Sequence, residues 1–361
     1  MKLKSSLFYF GFTLLAISTL MRRSTIVTLP SLLASDIIPV IACMLFFVKF
    51  ILDKHSRKEL VFCILAMVTI ALLRIGVGID TFIVTSIFAL LTTKDIDIKK
   101  VIKLDIIIKS FFLLVHVFVF TADYLTGVGN ALDYINYYAK GTSVSFYFSN
   151  PNTTGLLGTC IAMDMLFLKK NKAAKDYIVP TVIAIATFLL TASRTPLLMY
   201  TLYVFLQLIR DTKTLTIIQK SIYPILCIIA FAMVNFLDTH GTLFNFLNPL
   251  MSGRISQSIY AYRALGVNLL PNAARTALLE NYIIDVFYVK CMVDFGLITM
   301  LIYYLPNLLL PTDCDDDTKR ISIVACVNLF FESVIANIGF AIPFLILSDA
   351  FYNKNKERRH V

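Results

Sequence analysis

Four arginines carry the most pointed chemistry in this chain. Arg194 sits in Leu190-Thr-Ala-Ser-Arg-Thr-Pro, Arg254 in Met251-Ser-Gly-Arg-Ile, and Arg263 and Arg275 follow further along. A guanidinium is a fork of fixed donors that pairs bidentately with phosphate or pyrophosphate oxygens. Two carboxylates, Glu280 and Asp285, come close behind, and a carboxylate is a group that takes a proton from a hydroxyl. Together the four arginines would suit an anion-binding site. A second reading stays open, in which the arginines form salt bridges with Asp238, Glu280 and Asp285.

Several other chemistries are excluded. There is no GxxxxGK[ST], HExxH or GxSxG motif. The four histidines (55, 116, 240 and 360) are too few and too scattered for a histidine metal cluster, and the seven cysteines show no CxxC spacing. Gly127-Val-Gly-Asn lacks the strand and helix of a dinucleotide site. No cofactor and no metal are expected, so an activated substrate must be supplied to the protein.

The elements that position these residues follow from composition. The 361 residues are 58% hydrophobic and 16% charged, with 29 Phe and a mean hydropathy of +0.78. Soluble domains run about 45–50% apolar and about 25% charged. Apolar runs fall at 7–21, 31–52, 60–76, 79–93, 104–121, 153–168, 177–192, 196–209, 221–237, 286–305, 321–336 and 339–352. The reading is a single all-α polytopic membrane domain over 1–361 with 10–12 transmembrane helices. The first run follows Met1-Lys-Leu-Lys but no small-residue cleavage site, so it reads as an uncleaved helix.

Charge sets the orientation. With the N-terminus inside, the inner connections hold 22 of the 33 Lys and Arg, as the positive-inside bias requires. Both termini are then cytoplasmic, and the net charge of +10 is mostly a topology signal rather than a sign of nucleic acid. Residues 96–103 read as a short interfacial helix on the inner face. Two outer loops are long, 122–152 and 238–285, the second long enough for helices of its own. Loops of that length are usually functional, so the chemistry is expected at the outer face.

Ionisable residues inside the apolar runs are costly and default to functional hypotheses. Lys49 and Lys109 lie near the inner interface and can snorkel. His116 reads as a helix–helix hydrogen bond, Arg74 and Asp80 as a pair across a turn, and Asp164 as structural. Glu332, deep in the eleventh run, is either an interhelical tether or part of a site.

Several short patterns occur in order. Ser149-Asn-Pro-Asn-Thr-Thr-Gly155 resembles the "HPNxxG" segment of Wzy-type polysaccharide polymerases and O-antigen ligases. Thr191-Ala-Ser-Arg-Thr195 resembles their "(T/G)xSR(T/G)" turn, and Ser252-Gly-Arg254 their "SGR". Asp285-Val-Phe-Tyr288 with Gly296 resembles "(H/D)NxY…G", and Glu332 with Asn337 echoes a polar pair near the end of such chains. The resemblance covers about 145–340. The pattern's His is absent before Pro151, and no Asn follows Asp285. The ligases have His where Asp285 stands, so the polymerases fit better.

This resemblance implies metal-independent, inverting glycosyl transfer that joins undecaprenyl-pyrophosphate-linked oligosaccharide repeats at the outer leaflet of a bacterial cytoplasmic membrane. Arg194 and Arg254 would hold the pyrophosphate leaving group, helped by Arg263 and Arg275. Asp285 would be the base, with Glu280 as substitute. Tyr137, Tyr138, Tyr147, Tyr260 and Tyr262 would stack on sugars or form an interfacial aromatic belt, and Asn152 with Gly155 would shape the start of the sixth span. Implied partners are the lipid-linked oligosaccharide, the bilayer, a chain-length regulator and a flippase. The alternatives are a flippase or transporter of lipid-linked glycans, expected to carry Arg and Lys within a central cavity, and a ligase-type transferase.

Overall fold

A computed structural model describes residues 2–26, 37–68 and 81–270 with single or paired gaps, then 284–332 and 342–357. Omitted within those stretches are 58, 62, 66, 128, 139–140, 170–171, 311 and 313. The protein is predominantly α-helical. In chain order come α1 (Lys2–Arg23), α2 (Ile38–Leu52), α3 (Thr81–Leu91), α4 (Ile98–Thr126), α5 (Pro151–Phe167), α6 (Ala174–Thr191), α7 (Arg194–Leu206) and α8 (Thr212–Phe236). The second half adds α9 (Thr242–Leu250), α10 (Arg254–Leu265), α11 (Phe287–Lys290), α12 (Leu297–Leu309), α13 (Asp316–Phe331) and α14 (Ile342–Glu357).

Burial is distributed as lipid, not water, would dictate. The helices α5 and α13 are buried on nearly every side, the mark of an interior helix. α5 packs against α4, α6 and α7, while α13 packs against α7, α8 and α14. The surrounding helices turn apolar side chains outward: Ile107, Phe111, Leu114 and Phe118 on α4, Val182 and Leu189 on α6, Ile217 and Ile228 on α8. Water would not tolerate so continuous an apolar surface. Among the described residues, α1, α4, α6 and α8 are long and apolar enough to cross a membrane. The 22 residues of α1 reach about 33 Å, the thickness of a hydrocarbon core.

Several expectations change. The stretch 98–103 is not a separate interfacial helix but the first turns of α4, which Asp97 caps by accepting from the Lys99 amide (3.1 Å). The loop 122–152 holds a two-stranded antiparallel hairpin, β1 (Ile135–Tyr138) with β2 (Gly141–Val144). The tenth expected span is broken: α11 runs into a π-helical turn at Cys291–Phe295, and Gly296 (φ +79°) starts α12 afresh. A Cβ on Gly296 would lie 2.6 Å from the Leu269 carbonyl oxygen. Neither Lys49 nor Lys109 snorkels. Lys49 is buried and donates to Asp53 (2.6 Å), and Lys109 is buried against Asp105. His116 does make the expected contact between helices, sharing a hydrogen bond of 2.7 Å with Ser24 just past α1. Arg74 and Asp80 lie outside the described residues.

Two glycines set how closely the helices beside the site approach. A Cβ on Gly158 would sit 2.3 Å from Thr187 Cγ2, and one on Gly155 would sit 2.8 Å from Ser193 Cβ. Small residues let membrane helices pack backbone to backbone. Gly158→Ala is expected to destabilise the protein by about 1–3 kcal/mol, read as a lower unfolding temperature in detergent. Thr187→Ser, which removes the nearest methyl, should partly restore it, and an unchanged Gly158→Ala midpoint would contradict the packing.

Candidate functional site

The helix ends place the site. Asn150 caps α5, its side chain accepting from the Thr153 amide (2.9 Å), and Pro151 takes the first helical position, where a missing N–H costs nothing. That start leaves Asn152 facing the turn between α6 and α7. Ala192 turns the chain there in the left-handed region (φ 52°), and the Ser193 hydroxyl donates to Asn152 Oδ1 (2.8 Å). A second tight turn comes from two consecutive left-handed residues, Ser252 (φ 55°) and Gly253 (φ 82°). It makes Arg254 the first residue of α10 and sends its side chain inward, where it is 7% exposed.

Arg254 gathers the rest. Its Nε donates to Asp285 Oδ2 (3.0 Å), its Nη1 makes a long contact with Thr195 Oγ1 (3.4 Å), and its Nη2 donates to Glu332 Oε1. Asn152 Nδ2 reaches the same Glu332 oxygen at 3.5 Å. Segments from around positions 152, 193, 254, 285 and 332 thus share one polar knot. Tyr288, three residues after Asp285, is buried and donates to the Cys326 carbonyl of α13 (2.8 Å). The Asp285 side chain is 25% exposed against 8% for Glu332, so Asp285 is the more accessible carboxylate of the two.

Glu332 is not inside a helix. α13 stops at Phe331, and the Glu332 backbone is extended. Burial pushes its carboxyl up to about 7, with Arg254 holding it down, Asp285 raising it, and Arg23 lowering it slightly. A carboxyl raised this way contributes stability that is complete below its ordinary value of 4.5 and lost as pH climbs through about 7. Glu332→Gln is expected to remove that part of the slope of stability against pH, and an unchanged slope in unfolding measurements across this window would count against the burial argument.

The sequence-predicted residues divide. Asn152, Arg254 and Asp285 come together. Arg194 adjoins them in sequence as the first residue of α7 and is exposed, with no ion pair among the described residues. Arg254 is not an open cation, because its donors are committed to two carboxylates. It is the salt-bridge alternative, with Asp285, that describes its contacts. Arg263 does not share the knot. Nine residues further along α10, it stands about 14 Å away and on the opposite helix face. Tyr147 is not a sugar platform. It is buried, donates to Asp123 Oδ2 (2.5 Å) and packs edge-on to Tyr134 at 4.5 Å. Its phenol is pushed up to about 12 by burial and by Asp123. Tyr260 is exposed, and Tyr262 donates to Asn235 (3.0 Å). Arg275 and Glu280 lie outside the described residues.

Arg23 was missed as a site residue. It ends α1, its carbonyl accepts from the Ser149 amide (2.7 Å), and its charge acts on Glu332. The signal was present: Arg22-Arg23 closes the first apolar run on the side where cations are unexpected. No family model, no curated protein and no solved structure matches this chain.

Proposed function

We propose that the protein is a polysaccharide polymerase acting on polyprenyl-pyrophosphate-linked oligosaccharide repeats at the outer face of a bacterial cytoplasmic membrane. The observation that carries the reading is the knot itself. Short patterns scattered from Ser149 to Glu332, each weak alone, supply side chains that meet at Arg254.

In this reading Asp285 takes the proton from the acceptor hydroxyl through the oxygen that Arg254 leaves uncommitted. The acceptor oxygen attacks the anomeric carbon with inversion. The bond from that carbon to the phosphate oxygen breaks, and its electron pair leaves with the pyrophosphate. Arg254 is a positioning residue that fixes Asp285 and Glu332. The leaving group's charge falls to Arg194, where a preorganised cation stabilises the transition state.

Asp285→Asn and Arg194→Ala should each cut polymer formation, by about 10²–10⁴ for a lost base and about 10²–10³ for a lost charge contact. Single lipid-linked repeats should accumulate while the protein stays in the membrane. Normal glycan length in both variants would sink the assignment. The rival reading is a transporter of lipid-linked glycans, which the water-sized cavity lined by Lys109 is too small to serve. A strain lacking the protein separates them, since a transport defect traps repeats on the inner leaflet and a polymerase defect leaves single repeats outside.

A further inference from the structure

The interior holds a second polar cluster that the transfer reaction does not use. Asp105 and Lys109 on α4 form a buried ion pair, and Asp164 on α5 stands within hydrogen-bonding reach of Asp105. Beside them lies an internal cavity between α5, α7, α13 and α14, lined by Lys109, Thr159, Asp164 and Asn328 among apolar residues. It has room for one water-sized occupant. Thr159 (2% exposed), Asp164 (4%) and Asn328 (3%), all lining it, each have a buried oxygen, Oγ1, Oδ2 and Oδ1, with no hydrogen-bond partner among the described residues.

Two counts select the occupant. Two carboxylates and one ammonium leave one negative charge in a region where an uncompensated charge is strongly disfavoured, so the missing partner carries a single positive charge. A divalent ion would only reverse the excess. The acceptors also outnumber the donors. A proton shared between Asp105 and Asp164 would settle the charge but would need a water besides to reach the oxygens of Thr159 and Asn328. A small cation that prefers oxygen ligands settles both. We infer that Asp164, Thr159 and Asn328, with the Asp105–Lys109 pair behind them, bind one sodium ion inside the membrane domain.

The site is separate from the Arg254 knot but linked to it, because the Glu332 amide donates to the Asn328 carbonyl (2.8 Å). Its test needs no glycan substrate. The full-length protein in detergent is heated at neutral pH in sodium, potassium or choline chloride at equal ionic strength. Sodium alone should raise the unfolding temperature, saturably, and radioactive sodium should bind at one ion per chain. Asp164→Asn should abolish both effects, and Asn328→Ala should raise the half-saturating sodium concentration roughly tenfold or more. If Asp164→Asn fails to fold, the wild-type titration and Asn328→Ala still decide. Equal unfolding temperatures in all three salts would overturn the proposal in favour of a shared proton and a water. A sodium effect that persists unchanged in Asn328→Ala would place the ion elsewhere and overturn it too.

Discussion

Arg254→Ala is expected to lower stability and abolish polymer together, and the two losses should be separable. The substitution strands two carboxylates, one of them 8% exposed. Removing one partner of a buried pair costs about 3–5 kcal/mol. The lower end applies here, because Glu332, already raised to about 7, can take up a proton instead of remaining an unpaired anion. Adding Glu332→Gln should therefore return much of the stability, since the second carboxylate no longer needs a cation. It should not return activity, because Asp285 would still lack the Nε contact that orients it. Unfolding temperature and glycan length, measured on the two single variants and the double, form a cycle. Strictly additive stability losses would show that Arg254 and Glu332 do not act as a pair.

Lys109→Met should have an effect at least as large. Lys109 and Asp105 are 1% and 0% exposed in their side chains, and Asp164 adds a second carboxylate with no route to solvent by snorkelling. Losing the ammonium is expected to cost about 3–5 kcal/mol and to reduce the amount of protein recovered from the membrane. The double variant Asp105→Asn/Lys109→Met removes both charges of the pair and should recover most of that loss, as replacing a whole buried ion pair often does. A single Lys109→Met variant as stable as the parent would mean that the cluster is wetter than its burial indicates.

What could be seen in the sequence was local. Asn152 and Gly155 marked the start of the sixth span, and Ser252-Gly-Arg254 stood out as a short pattern, though not as the turn that aims Arg254 inward. What could not be seen depended on partners distant in the chain. Lys109 has Asp105 one turn before it, yet only the packing of α5 and α13 around them rules out snorkelling. Tyr147 looked like a surface aromatic because its loop is long, and its burial depends on Phe120 and Asp123 of α4 folding over it. Gly296 breaks an apolar run of uniform appearance because the backbone at Leu269 and Leu270 passes too close for a side chain. The spacing of Arg254 and Arg263 was legible as a half-turn offset, but only once both were known to share one helix.

The knot at Arg254 also bears on biogenesis. Its members leave the ribosome in a fixed order, with Asn152 and Ser193 well before Arg254, then Asp285, and Glu332 last. A nascent chain that has made α10 therefore carries a cation waiting for anions not yet made. Asp285 supplies the first of them, and only when Glu332 arrives at the end of α13 is the knot complete. Catalytic competence, in the proposed reading, is then a late step of synthesis, and partly translated chains stay inert toward the lipid-linked glycans around them.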